Sequence, residues 1–538
     1  MPFTNQIQPL YHKHMYTLSF FHYHLETGGI TQVLSSSIRS MFQEAPEEFE
    51  VRIVCGRKEG SEQFMTRLRE ELPEAFSQRR ISCELVEEID YSSRMESPPE
   101  VASLKRKLYQ SFSDSIWWVH NYHIGKNPEF TLALLELAEE HPEQKILFHI
   151  HDFPESGRFE NLQKNRRVIR RSLYPNLPNV GYIVINHRDF DILQEAGIPE
   201  SRLFLLNNPI DAKDGEYVDL WKVHDKINRW AADNTFSWQE GGKLILCPVR
   251  SIRRKNLLES AAISAIVESP VNLLITLPGV SEQERDYSDL LQRAFEEGLV
   301  SGAWGVGRRL DEFETSFKEL SHAADLVLSS SIQEGFGYLF IDSLLWGVPL
   351  LARDLSVIKG IKKLFDPQSS HFYPSFLLTL DGPRKAVLGN LYREYLEGLR
   401  GLLRPDFLNP LFYEVEQILA PEKIDFSFLT PELQYETLQR LAESSSFREQ
   451  LRNENAELAA NAENLLRGPQ VKGREKVRSL FGPKAHVAKI KDILEFFVKG
   501  VEKNRTPTEE NPPEEMRIDE KVLRSFSHID YFRPLYFK

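Results

Sequence analysis

The feature that most constrains the fold is a repeated alternation of short apolar runs with longer amphipathic segments. In the first part of the chain the apolar runs include YTLSFFHYH, VRIVCG, SIWWVHNYH, KILFHIHD and GYIVIN, and segments with helical spacing such as TQVLSSSIRSMFQEA lie between them. A second series, KLILCPVRS, VNLLITLPG, ADLVLSSS and VPLLARD, follows a polar stretch. Alternating strands and helices predict parallel sheets covered on both faces. The sequence therefore predicts an α/β fold of two Rossmann-like, doubly wound domains, with a cleft at the carboxyl ends of the strands.

The same pattern sets the expected domain boundaries. We predict a first domain over residues 1–212, a linker over 213–240, a second domain over 241–365, a helical extension over 366–505 and a tail over 506–538. The Pro- and Glu-rich NRTPTEENPPEEMRIDEK is typical of a solvated linker. The aromatic HIDYFRPLYFK that follows is expected to dock on a domain.

Composition excludes several classes of protein. The formal charge of −13 over 538 residues gives a generally acidic surface, which disfavours nucleic-acid binding. The three cysteines form no CxxC pair, which indicates free thiols in a reducing compartment. We find neither a signal peptide nor an apolar run of about 18 residues, so we expect a cytoplasmic protein without a transmembrane helix.

A glycine-rich loop in the second series is the most informative local motif. Glu334-Gly335-Phe336-Gly337 follows the apolar run ADLVLSSS and precedes a predicted helix. Glycines at a helix start permit close approach of a ligand, and the free N–H groups there attract anions. The carboxylate of Glu334 suits sugar hydroxyls, because it offers acceptor lone pairs. By itself the motif is equally consistent with a glycine loop before a packed helix.

A basic loop lies upstream in the same predicted domain. CPVRSIRRKN places Arg250 and Lys255 five residues apart after the domain's first strand. An arginine fork and a lysine point charge together can clamp a diphosphate. A solvated basic turn is the alternative.

Together these motifs resemble the family-four retaining glycosyltransferases, which have the GT-B fold. The family's pattern is E-G-F-G with a second acidic residue eight positions after the first, and this chain has Asp342 where the family has Glu. The resemblance implies that Glu334 holds donor-sugar hydroxyls, that Asp342 holds the ribose diol, and that Arg250 and Lys255 hold the diphosphate. It also implies that Gly335, Phe336 and Gly337 contact the donor. It also implies metal-independent transfer, and a late helix such as HVAKIKDILEFFVKG that crosses back to close the two domains.

Histidine pairs end three of the apolar runs of the first domain. They are His22 and His24, His120 and His123, and His149 and His151. Three interpretations stay open: a metal site, histidines without function, and recognition of a sugar or phosphate at the cleft. The resemblance favours the last, because FHIHD is similar to the family's HD motif. It makes His151 the catalytic candidate, with Asp152, His120 and His123 as candidates on the acceptor side.

Two further segments bear on ligands. Gly28 and Gly29 open a predicted helix and resemble the family's GG motif, which implies a donor or phosphate contact, although a plain glycine turn would also explain them. RFENLQKNRRVIRRSL is a basic segment in an acidic protein, and its first residue, Arg158, is a further candidate on the acceptor side. It suits an anionic acceptor or an anionic lipid, and a solvated charged face is the alternative.

The sequence thus predicts a retaining hexosyltransferase that uses a UDP-, GDP- or ADP-linked sugar and needs no metal or other cofactor. The acceptor is expected to be a small molecule, a glycan or a lipid-linked sugar. The main alternative is a GT-B-like protein that binds nucleotide sugars or serves as a scaffold without catalysis. Neither the donor base nor the oligomeric state follows from the sequence.

Overall fold

The structure is a computed structural model that describes residues 15–210, 218–232, 237–312, 314–503 and 512–533. It contains two fully parallel sheets, of seven and six strands, flanked by helices. The predicted fold class of two Rossmann-like domains is confirmed.

The first domain has a seven-stranded sheet in the order β3-β2-β1-β4-β5-β6-β7. Its strands are β1 Tyr16–His22, β2 Phe49–Cys55, β3 Ile81–Leu85, β4 Ile116–His120, β5 Ile146–Ile150, β6 Val180–Val184 and β7 Leu203–Leu205. Its helices are α1 Gly29–Glu44, α2 Ser61–Glu71, α3 Pro73–Ser77, α4 Val101–Phe112, α5 Pro128–Glu140, α6 Phe159–Val168 and α7 His187–Ala196. All residues of β5 and β6 are buried, as expected for central parallel strands with helices on both faces.

The second domain repeats this plan, with the strand order β10-β9-β8-β11-β12-β13. Helix α8 spans Leu220–Ala232, and the strands are β8 Lys243–Arg250, β9 Val271–Leu277, β10 Gly302–Trp304, β11 Leu326–Ser329, β12 Leu350–Arg353 and β13 Ser370–Tyr373. The helices between them are α9 Leu257–Ile266, α10 Glu282–Glu296, α11 Phe317–Ala323 and α12 Tyr338–Trp346. The sheet therefore continues past the predicted domain limit at residue 365.

A mostly helical unit follows the second sheet. Its elements are β14 Leu377–Thr379, α13 Gly382–Gly398, α14 Pro405–Leu419, β15 Lys423–Asp425, α15 Pro431–Glu443, α16 Ser445–Glu454 and α17 Ala456–Leu466. The two strands pair antiparallel. Arg353 at the end of β12 fixes this unit, because its buried guanidinium bonds to both Glu259 of α9 and Asp425 of β15. The unit thus extends the second domain.

Three final helices connect the domains: α18 Arg474–Phe481, α19 Pro483–Lys503 and α20 Pro512–Phe526. Phe481 of α18 packs in the core of the second domain, whereas Ile490 and Leu494 of α19 pack in a core of the first. The segment that was predicted to be a solvated linker is in part helical, since α20 begins at Pro512 and buries Val522 and Phe526. That expectation is wrong for α20 because the helix has an apolar face, and residues 504–511 lie outside the described part.

The described part of HIDYFRPLYFK docks on the protein, as predicted: Ile529 and Phe532 are buried, and the Phe532 ring stacks 5.1 Å from that of Phe159. Within the described ranges, no helix is both long enough and apolar enough to cross a membrane.

Candidate active site

Both sheets reverse their strand order beside their first strand, which opens a crevice at the carboxyl edge. In the first domain the crevice lies between β1 and β4, whose loops carry Gly28, Gly29 and the residues after His120. In the second it lies between β8 and β11, whose loops carry Lys255 and Glu334. The predicted motifs therefore lie where open α/β sheets bind ligands.

Lys255 and Glu334 form a nearly buried ion pair at the second crevice. Lys255 Nζ donates to Glu334 Oε1 at 2.5 Å, and the two side chains are only 12% and 9% exposed. Burial lowers the pKa of Lys255, against the opposing effect of Glu334. Burial opposes ionisation of Glu334, but the ammonium of Lys255 and the guanidinium of Arg254 lower its pKa overall. Glu334 is therefore ionised at neutral pH, and the amine of Lys255 lies within hydrogen-bond distance of it.

The other basic residues of this loop have different partners. Arg250 is 45% exposed and lies 3.5 Å from Glu284 at the start of α10. Its positive charge is also close enough to lower the pKa of Lys255. Arg253 is buried and donates to the backbone carbonyls of Ser427 and Leu429 in the helical unit. Arg254 lies 3.9 Å from Glu334. Arg253 is thus structural, whereas Arg254 joins the site without having been predicted.

The glycine loop contacts the first domain directly. Gly335 lies where an added Cβ would be 3.4 Å from the carbonyl oxygen of His151. Gly337 caps α12 with φ +81°, and an added Cβ would lie 2.5 Å from the ring of Phe340, so glycine is required there. The Phe336 side chain is buried against Phe481. Its predicted donor contact can therefore involve only its backbone.

Asp342, the predicted ribose ligand, lies one turn beyond Tyr338 on α12. Its carboxylate is partly buried and makes no hydrogen bond or ion pair with the described residues. Burial raises its pKa to about 7. The nearby Tyr338 hydroxyl donates to the carbonyl of Pro209 at 3.5 Å, which places Asp342 near the end of the first domain.

The histidines of β4 and β5 form a buried cluster. His120 Nδ1 and His151 Nε2 share a 2.9 Å hydrogen bond, and ring nitrogens of His120, His149 and His151 lie within 4.8 Å of one another. Burial lowers the pKa of all three, that of His151 to about 4. They are therefore neutral at pH 7.

These three rings are the candidate metal ligands of the described chain. Trp118 Nε1, however, donates to Nδ1 of His149 at 3.1 Å. In a neutral imidazole the other nitrogen then carries the proton, so Nε2 of His149 has no lone pair for a metal. This arrangement disfavours a three-histidine metal site.

His123 is buried, unlike the half-exposed Asp152. Its ring is fully buried against Tyr122, Phe153 and Tyr174, and neither ring nitrogen has a hydrogen-bond partner in the described structure. The chain turns after His120 and carries His123 into the core, close enough to Asp152 and Arg158 for their charges to act on it. Its role on the acceptor side stays a prediction.

Asn121, which no sequence motif marks, forms that turn. It adopts φ +48°, and its Oδ1 accepts from the backbone N–H of His151 at 2.7 Å. Asparagine tolerates the left-handed region better than most residues. Asn121 thus positions the HD motif.

Asp152 is half-exposed next to His151, 3.6 Å from Arg158, and both Arg158 and Arg254 favour its ionised form.

Gly28 and Gly29 open α1 as predicted, with Gly28 in extended backbone. Nothing lies within 4 Å of a Cβ added to Gly29. The fold itself therefore does not require glycine at this position.

The basic segment divides into two parts. Arg171 pairs with Glu136 and Glu139 of α5, and Arg167 donates to Gln163 in its own helix, so this part is a solvated charged face. Arg158 and Lys164 instead lie near enough to Lys126 to lower its pKa. These two therefore lie on the side of the segment nearest Lys126.

Hydrogen bonds join the two halves of the site. Gln333 Nε2 donates to Ser156 Oγ at 2.6 Å, and Asn186 Nδ2 donates to the carbonyl of Gly335 at 2.8 Å. Ser156 and Asn186 belong to the first domain, whereas Gln333 and Gly335 belong to the second. The histidine cluster and the Lys255–Glu334 pair consequently face the same crevice.

Comparisons with known proteins complete the description. No protein-family model matches the chain. A mannosylglucosyl-3-phosphoglycerate synthase of Petrotoga mobilis is 29% identical over 525 residues, which cover 97% of this chain and 100% of that protein. This similarity extends over both sheets and the helical parts.

Two solved structures are also similar in overall fold. HepE of Anabaena in complex with UDP-glucose has a TM-score of 0.46 and 12% identity, and the match covers 89% of this chain and 99% of that chain. A glycosyltransferase from Rickettsia africae has a TM-score of 0.47 and 11% identity, and the match covers 90% and 99%.

Proposed function

We propose that this protein is a glycosyltransferase that moves a hexosyl group from a nucleotide diphosphate sugar to an acceptor, with retention of configuration and without a metal. The observation that carries the proposal is the Lys255–Glu334 pair, which lies at the crevice of the second domain opposite His151. A cation for the diphosphate and an anion for the sugar hydroxyls are held side by side.

In this mechanism the acceptor oxygen bonds to the anomeric carbon as the bond between that carbon and the diphosphate breaks. The acceptor proton passes to the departing phosphate oxygen on the same face. Lys255, Arg250 and Arg254 stabilise the charge that develops on the diphosphate, each donor contributing on the order of 3 kcal/mol to the transition state. Glu334 and the neutral His151 orient the sugar hydroxyls, while Asp342 accepts from the ribose.

The similarity to the Petrotoga protein suggests the substrates. Its name describes a product that joins mannosyl, glucosyl and 3-phosphoglycerate groups. We therefore propose mannosyl transfer to a glucosylated phosphoglycerate. A binding protein without catalysis remains the second candidate, because Asp342 departs from the usual glutamate.

The test is to incubate the protein with GDP-, UDP- and ADP-sugars and glucosyl-3-phosphoglycerate, after treatment with a metal chelator. We expect release of the nucleoside diphosphate, and a product whose NMR coupling shows the anomeric configuration of the donor. Binding of a nucleotide sugar without turnover would favour the second candidate. Turnover that is lost with the chelator and restored by zinc would contradict metal independence.

A further inference from the structure

Lys126 carries a half-buried ammonium group. It lies in the loop after β4, and within the described ranges no carboxylate forms an ion pair or hydrogen bond with it. Its Nζ lies 5.1 Å from the centre of the Tyr91 ring. Removing an ammonium group from water is unfavourable unless an anion replaces the lost hydration. The mechanism above gives Lys126 no role.

Other cations surround Lys126. Arg94 stacks on the same Tyr91 ring, with its guanidinium carbon 4.8 Å from the ring centre. Burial lowers the pKa of Lys126, and the charges of Arg158, Lys164 and Arg94 lower it further. These groups come from the loops after β3, β4 and β5 and from helix α6, so four positive charges meet at one edge of the sheet.

Carboxylates pair with the two arginines of this group but, within the described ranges, not with the two lysines. Arg94 lies 3.5 Å from Asp90. Arg94 pairs with Glu26 at 3.0 Å, and Arg158 pairs with Asp152 at 3.6 Å. Among the described residues, Lys164 Nζ donates to the side-chain oxygen of Asn161 at 3.5 Å and forms no ion pair. Lys126 and Lys164 therefore keep uncompensated charge in a protein whose net charge is −13.

The position of these residues indicates which part of a substrate they would meet. Asp152 directly follows His151, and Arg158 follows in the same loop. The donor groups Lys255 and Glu334 lie on the other side of the crevice. An anion bound at Lys126 would consequently belong to the acceptor rather than to the nucleotide.

We propose that Lys126, Arg94 and Arg158 form a binding site for a phosphate monoester on the acceptor. A phosphate monoester suits this set, because its three oxygens can accept from an ammonium group and from arginine forks at the same time. The assignment to the acceptor rests on the proposed function, whereas binding of the anion itself does not. The site selects acceptors that carry a phosphate and holds them next to His151.

Calorimetric titration with 3-phosphoglycerate tests this directly. We expect the wild-type protein to bind it, and Lys126→Met to weaken binding at least tenfold. Lys107→Met is the matched control, since Lys107 belongs to the same domain but pairs with Glu88 on an exposed helix. Glycerate, which lacks the phosphate, is expected to bind at least tenfold more weakly than 3-phosphoglycerate.

Equal binding of 3-phosphoglycerate by the wild type and Lys126→Met would overturn the proposal, as would equal binding of glycerate and 3-phosphoglycerate. Vesicles containing phosphatidic acid distinguish a lipid headgroup from a soluble phosphate. Lys126-dependent capture by these vesicles, without binding of 3-phosphoglycerate, would also overturn it.

Titration with nucleotide sugars separates this failure from failure of the proposed function. Lys126→Met is expected to bind the donor as the wild type does and to raise the KM for the phosphorylated acceptor at least tenfold. Wild-type protein that binds no nucleotide sugar would reject the proposed function, while leaving the phosphate site to its own test.

Discussion

At the scale of single residues, the buried carboxyl group of Asp342 lowers the stability of the fold at neutral pH, and we propose that it also binds the ribose. In the unfolded chain this carboxyl group has an ordinary pKa near 3.8, and burial raises the pKa to about 7 in the folded protein. A folded-state pKa above the unfolded value means that the folded protein holds the proton more tightly. The carboxyl group therefore becomes progressively more destabilising as the pH rises from about 4 to about 7.

We accordingly predict opposite effects of Asp342→Asn on stability and on binding. The variant should melt at a higher temperature than the wild type at pH 8, and the difference should vanish near pH 4. It should bind UDP or GDP about tenfold more weakly, because a hydrogen bond to a charged acceptor is lost. Asp354→Asn, at an ion pair with Lys362, is the control. Unchanged nucleotide affinity would remove Asp342 from the ribose site.

The position of a residue at the crevice could be predicted from the sequence where a motif directly follows a buried strand. Glu334 and Lys255 are examples, since each follows a buried strand whose end faces the crevice. The different roles of Arg253 and Arg254 could not be predicted from the sequence. Arg253 donates to the backbone carbonyls of residues 427 and 429, which are distant in sequence. The burial of His123 could not be predicted for a similar reason, since the left-handed turn at Asn121 carries no clear sequence signal.

At the scale of elements, the start of helix α1 can be compared with the start of helix α13, which also begins at a glycine. Gly29 and Gly382 are each the first residue of a helix, and a Cβ at either position would have nothing within 4 Å. We predict that Gly29→Ala and Gly382→Ala both leave the melting temperature unchanged or slightly higher, because alanine restricts the unfolded chain.

Only Gly29→Ala should affect the reaction. The added methyl group would occupy space at the crevice, so we expect kcat/KM to fall at least tenfold in Gly29→Ala and to stay unchanged in Gly382→Ala. Full activity of Gly29→Ala would mean that this helix start does not approach a ligand.

At the same scale, helix α20 places Asp519 near Glu155, a buried carboxyl group of the first domain. Glu155, in the loop after β5, is buried and accepts from the Tyr174 hydroxyl at 3.0 Å. Burial raises its pKa to about 8, and Asp519 of α20 adds to the shift, while Arg166 opposes it. The folded protein holds the proton of Glu155 more tightly than the unfolded chain does. The contribution of protonated Glu155 to the free energy of unfolding is therefore complete below the unfolded pKa of about 4.5 and is lost as the pH rises toward 8.

Glu155→Gln should therefore flatten the dependence of melting temperature on pH between about pH 5 and 8. Glutamine keeps the hydrogen bond to Tyr174 but cannot ionise, so the variant should exceed the wild type in stability at pH 8 by the order of a few kcal/mol. Glu397→Gln, at an exposed pair with Arg400, should leave the profile unchanged. Parallel profiles for wild type and Glu155→Gln would show that Glu155 is already ionised when buried.

The elements themselves follow the sequence closely where periodicity is strong and less closely where tertiary packing decides. The strands at the core of both sheets coincide with the apolar runs. Helix α20 was not predicted, because its Pro- and Glu-rich start resembles a solvated chain and only its docking on the first domain buries Val522 and Phe526.

At the scale of the whole molecule, the C-terminal helices hold the two halves of the site together. Ile210 at the end of the first domain donates its N–H to the carbonyl of Phe481, and Ser37 of α1 shares a 3.0 Å hydrogen bond with His486 of α19. The sequence pattern could predict two sheets facing a cleft. It could not predict that these late helices and the contacts of Gly335 set how closely the domains approach.

The central claim, that Lys255 and Glu334 receive a nucleotide sugar, is tested most directly by nucleoside diphosphate release in wild type, Lys255→Ala and Lys243→Ala. Lys243 pairs with Asp325 at 2.9 Å at the opposite end of the same sheet, so its loss removes a comparable ion pair away from the crevice. We predict that Lys243→Ala releases the diphosphate at the wild-type rate and that Lys255→Ala does so about 100-fold more slowly. Equal rates in all three proteins would contradict the account.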